Sequence, residues 1–547
     1  MKNADGTDVA GLLSLPKRQI NLTTLAVALA MFLSALDQTV VGTAMPRIIA
    51  DLGGFSQYTW VTTSYLLTST VVLPVVGRLS DMYGRKPFFI ASLAIFIVGS
   101  VLSGLSQDML QLILARGFQG IGAGGMMANT FAVIGELFPP TNRARLQGIM
   151  AAVMGLSSVV GPILGGFITD TLSWHWIFFI NVPLGIAVIL LFNLFYPHLR
   201  PDIRKHTVDW AGVTALTLAV VPLLLALTWA GTQYAWGSVQ IIGLFAVTAL
   251  ALISFPLIES RAKEPIIPLS IFNSRVISVA LIATFLTGMG MFGGIIFVPL
   301  FFQGVLGSSA TSSGSFLTPM MLGIVAGATV SGQAMTRMGG RYRTLGAIGL
   351  VLLAVGLLLL SRMDPETTFA TAILNIVLVG FGLGITFPVY MIAVQNAIPF
   401  EHLGVASSTV PFFRSIGGTF GLAIFGSVMN NRFAIESLAR IPAEVKQALP
   451  PQVLNSITGN AQALLNPNAQ TGLKAAFDQM GQQGAVLYQQ TLQGLKESLS
   501  AAMTEVFLIS FLIIIVAFVV NWFIKEIPLR KVNKLGGHDA GPSAPQV

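Results

Sequence analysis

The stretch Gly77-Arg78-Leu79-Ser80-Asp81-Met82-Tyr83-Gly84-Arg85-Lys86 separates two apolar runs, each long enough to cross a bilayer. Short, charged and punctuated by glycine, it suits a turn at the water edge, where a membrane chain tolerates charge. A weakened echo runs from Gly332 to Arg343, again between apolar runs. In the first copy Gly77, Asp81, Gly84 and Arg85 fall at offsets of four, seven and eight; in the echo Gly332, Thr336, Gly339 and Gly340 hold those offsets, followed by Arg341. The acid has become Thr336. Two such turns in equivalent places imply two related halves, a construction used by transporters.

The surrounding composition agrees. Of 547 residues, 54% are hydrophobic and 10% charged, whereas a soluble domain carries about a quarter charged. The 56 glycines suit helices that pack through small residues in lipid. The net charge of +8 sits in short loops between apolar runs, which argues for charges retained on the cytoplasmic side rather than for nucleic acid. The absence of cysteine excludes disulfides, zinc–thiolate sites and a cysteine nucleophile. The N-terminus is polar up to Lys17 and Arg18, and no short apolar core with a cleavage site follows, so the first run is expected to be a retained span.

Fourteen spans are expected, near 20–44, 57–79, 87–106, 109–132, 146–169, 175–196, 209–231, 238–258, 275–302, 311–336, 343–361, 369–392, 404–430 and 501–524. This is an all-α integral membrane protein: a six-helix bundle over 1–200, two inserted helices over 201–265, and a second six-helix bundle over 266–547. One set of short loops holds Arg78, Arg85, Lys86, Arg143, Arg145, Arg200, Arg204, Lys205, Arg261, Lys263, Arg337, Arg341 and Arg343, while the opposite set holds little beyond Arg47 and Arg362. The termini share the basic side through Lys17, Arg18, Lys525, Arg530 and Lys531. Both termini are therefore expected in the cytoplasm. Residues 431–500 are polar, with Pro450, Pro451 and Pro467. They read as an extracytoplasmic cap whose last helix, with apolar spacing over Val486–Leu499, runs into the final span.

Asp37, inside the first span, is the sharpest functional candidate. A carboxylate at the centre of a span costs about 2.5–3.5 kcal/mol and calls for a partner or a cavity. Burial favours its neutral form, the property a proton carrier needs. Arg116, in the fourth span, does not titrate and acts through its field. Arg414 is a similar intramembrane cation nearer a span end. Gly161, Pro162, Gly165 and Gly166 mark a bend and close packing in the fifth span. Asp81 with Arg85 and Lys86 forms a candidate charge cluster at the turn, and Glu136, Arg143 and Arg145 a second. Gln119, Phe292, Gln303 and Arg414 are candidates for a substrate cavity. The five histidines, 175, 198, 206, 402 and 538, lie in loops, span ends or the tail with no metal-ligand spacing. No P-loop or catalytic constellation is present.

Together these motifs resemble the major facilitator superfamily, and within it the fourteen-helix drug:proton antiporter branch. Gly77–Lys86 is similar to the superfamily's loop signature. Asp37 through Pro46 resembles the exporters' first-helix signature. Arg116, Gln119, Gly120 and Gly122 resemble the fourth-helix signature linked to proton coupling. Gly148, Gly161, Pro162, Gly165 and Gly166 resemble the fifth-helix antiporter signature, and Trp174–Pro183 the opening of the sixth helix. Gly42, Ser157 and His175 depart from common family residues. The resemblance implies a cell-membrane exporter, not an enzyme. It would move amphipathic small molecules by alternating access, with no cofactor and a proton gradient as its drive. Asp37 and Arg116 would couple protons; Gly77, Asp81, Gly84 and Arg85 would act with the fifth helix in gating. No second acid lies deep in the later spans, which favours neutral, monocationic or lipid-like cargo. A dedicated exporter of a lipid-like cargo or secreted metabolite is the alternative. Expected partners are the substrate, protons and the bilayer, with no nucleic acid, and the chain is expected to be a monomer.

Overall fold

The computed structural model describes residues 16–53, 57–197, 207–231, 233–306, 317–448 and 481–529, with Leu454, Thr458, Lys474 and Phe477 besides. Arg200, Arg204, Lys205, Arg530, Lys531, His198, His206, His538, Pro450, Pro451 and Pro467 lie outside the described residues. The helices are α1 (Lys17–Leu52), α2 (Thr59–Tyr83), α3 (Arg85–Gly104), α4 (Met109–Leu137), α5 (Pro140–Thr171), α6 (Trp176–Phe179), α7 (Asn181–Phe195), α8 (Trp210–Trp229), α9 (Val239–Glu259), α10 (Arg275–Gly304), α11 (Leu317–Arg337), α12 (Tyr342–Leu360), α13 (Phe369–Ala397), α14 (Leu403–Arg440), α15 (Ala443–Ala448) and α16 (Gly481–Asn521).

Twelve spans, with α6 and α7 counted as one, are long and apolar enough to cross a membrane. Two more helices of sufficient length, α4 and α11, are less apolar: α4 carries Arg116, Gln119, Asn129 and Glu136, and α11 carries Thr329, Ser331, Gln333 and Arg337. Both pack heavily against neighbouring helices; the polar groups of α4 are buried or half-buried, whereas in α11 Ser331 is buried and Thr329, Gln333 and Arg337 are exposed. With α4 and α11, the described residues hold fourteen segments of spanning length, in keeping with the fourteen expected. Local chemistry sets the starts: Asp108 accepts the Gln111 N–H at 2.8 Å before α4, and Asp209 accepts the Gly212 N–H at 2.8 Å before α8. The turn between α2 and α3 is closed by Gly84 alone, whose φ of 94° favours glycine. In the echo two glycines share this work, Gly339 (67°) and Gly340 (91°).

Several helices run beyond their expected spans. α1 continues through Pro46 to Leu52, α14 reaches Arg440, and α16 starts at Gly481. Hydropathy marks where lipid ends, but backbone hydrogen bonding continues into water, and in α1 Pro46 does not stop it. The helical ends of α14 and α16 therefore occupy both flanks of the polar 431–500 segment.

The helices pair in one pattern used twice. In the first half α4 packs on α2 and α3, α1 on α4, α5 and α7, and α3 on α7. In the second half α13 packs on α11 and α12, α10 on α13, α14 and α16, and α12 on α16. α8 and α9 pack on each other, and α8 also touches α2 and α14. The halves meet through α5 against α11 and α2 against α14.

The apolar core shows where the halves join. On the face where α1 starts and α16 ends, the terminal face, one cluster runs through both halves, from Ala26 and Phe131 to Val389, Val405 and Ile524. Toward the opposite face it divides. One cluster, with Val40, Ile48 and Trp174, belongs to the first half; another, with Phe297, Leu353, Phe425 and Phe507, belongs to the second. The halves share one core on the terminal face, and toward the opposite face each has its own.

Candidate functional site

Asp37 lies just past the point where α1 passes from the joint cluster, at Leu33, to the first-half cluster, at Leu36 and Val40. Its side chain is wholly buried and that of Arg116 is 1% exposed. Arg116 Nη1 donates to Asp37 Oδ2 at 2.5 Å, while Gln119 Nε2 and Asn181 Nδ2 donate to Oδ1 at 2.9 and 3.0 Å. Arg116 also donates to Gln119 Oε1 at 2.7 Å. Asn181 is held in turn by Ser100 Oγ at 2.9 Å, which donates to the Phe178 carbonyl at 2.9 Å. The Arg116 guanidinium lies 4.2 Å from the Tyr65 ring centre.

The local sequence makes this knot possible. Gly122, one turn beyond Gln119, lets α4 approach α3 so closely that a Cβ would stand 2.6 Å from the Ser92 carbonyl. A buried carboxylate with a guanidinium and two amides is satisfied; separating the pair would leave a buried charge, at a cost of about 3–5 kcal/mol. Protonating Asp37 removes the charge that holds Arg116 without removing a side chain. The arrangement can therefore convert binding of one proton into loosening of α1 from α4.

A second cluster closes the terminal face. The Asp81 carboxylate accepts the Gly404 and Val405 N–H groups, both at 2.9 Å, and so caps the start of α14. Unpaired N–H groups and the helix dipole make a helix start a natural anion site. Asp81 also pairs with Arg85, which donates through Nε to Glu136 Oε1 at 2.9 Å. Tyr196 donates to Glu136 Oε2 at 2.6 Å. Arg78 Nη1 meets His402 Nδ1 at 3.3 Å. Burial, reinforced by Arg78, holds the His402 imidazole below its ordinary value. Along the seam Thr70, Gly77 and Asp81 of α2 meet Ser415, Ser408 and Gly404 of α14. The steps of seven and four residues match in opposite directions, so the two helices are antiparallel and in register. A Cβ on Gly404 would stand 2.7 Å from Asp81 Oδ1.

The sequence candidates thus separate. Asp37, Arg116 and Gln119 come together, but Gln119, expected at a substrate cavity, is fully buried in the knot around Asp37. Asp81 and Arg85 join across the turn closed by Gly84; their side chains are only 2–3% exposed, so the weak coupling of a solvated pair does not apply to them. Lys86 instead donates to the Asn193 and Tyr196 carbonyls at the end of α7, and Arg143 to the Gly135 and Phe138 carbonyls at the end of α4. Gly161 and Gly165 face Thr39 and Val40 of α1, Gly166 faces open space, and Pro162 is exposed. Phe292 packs against Gly418, and Gln303 is partly buried near the end of α10. Asn181, Glu136 and His402 gained partners that spacing did not reveal. Asn181 had one signal, an amide opening an apolar run.

Arg414 stands apart. Its guanidinium lies 3.9 Å from the Phe387 ring centre, and among the described residues no carboxylate pairs with it; its buried Nε–H has no acceptor. Stacking on an aromatic ring supplies about 0.5–2 kcal/mol, against about 2.5–3.5 kcal/mol for a cation at mid-span. Among the described residues no group of three His, Cys, Asp or Glu is placed to hold a metal.

The sequence profile described as Major Facilitator Superfamily matches residues 27–422. The chain is 40% identical over 520 residues to the Multidrug transporter protein MdtP of Bacillus subtilis (strain 168), covering 95% of this chain and 94% of that one. It is 44% identical over 409 residues to Multidrug resistance protein 3 of the same organism, covering 75% and 79%. Among solved structures, the human organic anion transporter MFSD10 (TETRAN) aligns with a TM-score of 0.56 over 91% of this chain and all of its own; at 14% identity the likeness concerns the fold alone.

Proposed function

The chain belongs to the Major Facilitator Superfamily, and from that premise we propose that it exports amphipathic small molecules in exchange for protons by alternating access. The observation that carries the reading is the sealed Asp37–Arg116–Gln119–Asn181 knot, a titratable group placed where the joined core gives way to the parted halves. The multidrug names of its full-length relatives favour a broad amphipathic cargo over a dedicated one.

In this reading the terminal face is cytoplasmic, as the basic loops require, and the structure is the state closed on that side. Cargo leaves from the space between the parted halves. A proton from outside neutralises Asp37, frees Arg116 and loosens α1 from α4 and α7. The Asp81 clamp on α14 then releases, the cytoplasmic face opens, and Asp37 gives up its proton as new cargo enters. Asp81, Arg85, Glu136 and His402 set the balance between the two states. The Gly161–Gly165 contacts let α5 pivot on α1.

The test is cargo efflux driven by an imposed pH gradient in proteoliposomes. Asp37→Asn and the pair Asp37→Asn/Arg116→Gln are expected to remain monodisperse and to lose gradient-driven efflux. Wild-type rates in either folded variant refute the role of Asp37.

A further inference from the structure

In the first half a membrane arginine stacks on an aromatic ring and closes on an acid: Arg116 over Tyr65, paired with Asp37. The second half repeats the stacking without the acid. Arg414 lies over Phe387, and among the described residues nothing accepts from its buried Nε–H. The position is specific. On α14 residues pack on the joint core as far as Ile416 and on the second-half core from Leu422, while on α13 Ile385 and Val389 belong to the joint core and Leu383 and Phe387 pack on the second-half core. Arg414, between Phe413 and Ile416 of the joint core, reaches Phe387 of the second-half core, so the pair stands where the two cores meet. α13 and α14 touch little, each packing mainly on other helices, so the Arg414 side chain bridges the gap between them. The next residue, Ser415, bonds Thr70 of the first half at 2.8 Å, which places Arg414 beside the seam.

A guanidinium offers N–H donors and no acceptor, in a planar fork that matches a carboxylate. In a low-dielectric setting it attracts an anion strongly and repels a cation. We propose that Arg414 is a recognition site for the carboxylate of amphipathic organic anions, with Phe387 beside it contacting the apolar body. This rests on the reading that cargo occupies the space between the halves, and it deepens that reading by naming a class of cargo. It differs from the expectation of neutral or monocationic cargo, which followed from the lack of a second membrane acid and took no account of a cation left without one.

The test is equilibrium binding in detergent, with no gradient, so that it stands apart from proton coupling. The probes are 11-(dansylamino)undecanoate and its methyl ester, read by dansyl fluorescence. The wild type is expected to bind the acid at least tenfold more tightly than the ester. Arg414→Gln is expected to erase that preference while leaving ester affinity within twofold, and Arg414→Lys to keep part of it. Equal affinity for acid and ester in the wild type, a preference that survives in Arg414→Gln, or no binding of either probe overturns the inference. Proton-coupled efflux is judged by the separate liposome assay.

Discussion

Replacing Asp81 with Asn tests whether the clamp holds the terminal face shut. The carboxylate makes two charge-assisted bonds across the seam, to Gly404 and Val405 N–H, both at 2.9 Å. Asparagine keeps one carbonyl oxygen for one of them and turns a donor toward the other. One bond to a charged group, worth about 1.5–3 kcal/mol, is lost, and the other falls to the neutral value near 1 kcal/mol. Arg85 keeps Glu136, which limits the damage within the first half. The Asp81 side chain is 2% exposed, so solvent screening does not shrink the effect. At the low end of these ranges, a net loss of about 2 kcal/mol moves the ratio of open to closed terminal face about 30-fold. The chain has no cysteine, so Tyr83→Cys and Glu401→Cys, both exposed positions flanking the seam, carry spin labels without background. Electron–electron distance measurements are expected to show one short population in the parent and a longer one whose relative weight rises about 30-fold with Asp81→Asn. Superimposable distributions would refute the clamp.

Three further outcomes follow from the same geometry. Asp37→Asn leaves Arg116 as an uncompensated buried charge and is expected to destabilise the protein by about 3–5 kcal/mol, with Arg116→Gln added to it recovering most of the loss; thermal melting in detergent reads both, and an unchanged melt for the single variant contradicts the pairing. Burial and Arg78 depress the His402 imidazole, so the folded form favours neutral histidine. Its contribution to the closed face is full above the unfolded value near pH 6.5 and is lost as pH falls through the depressed one, because protonation sets a cation against Arg78 and removes the acceptor; Asp81 and Glu401 oppose this only in part. The label distance is expected to lengthen between pH 6.5 and 5, and a His402→Gln variant to flatten that response. Gly165→Ala drives a Cβ into the Thr43 hydroxyl and to 3.0 Å from the Val40 carbonyl and is expected to cost about 1–3 kcal/mol, whereas Gly166→Ala meets nothing within 4 Å and is expected to melt no lower than the parent; the reverse order in melting would show that α5 packs otherwise.

Much of this architecture was legible in the sequence because lipid imposes it. Apolar runs of spanning length give the helices, and the doubled Gly77 and Gly332 turns give the halves. Asp37 and Arg116 stand out because a charge in a span needs a partner, so each predicts the other. The clamp was only half visible. Asp81 is plain in the sequence, but its partners are the backbone N–H groups of Gly404 and Val405, and a backbone donor has no letter. Gln119 looks like a cavity residue from polarity alone, yet helix phase turns it onto Asp37. Arg414 is readable as a cation in a span, while its lack of an acid depends on which helices face the gap, information that only tertiary packing holds.

The central claim is that movement of cargo and movement of protons are one event at Asp37. The most direct measurement loads proteoliposomes with a transported cargo, with equal pH on both sides, and follows internal pH as the cargo runs out down its own gradient. Inward proton movement that depends on cargo and vanishes in folded Asp37→Asn vesicles is the predicted result. Cargo efflux with internal pH unmoved, or an unchanged pH signal in that variant, would contradict it.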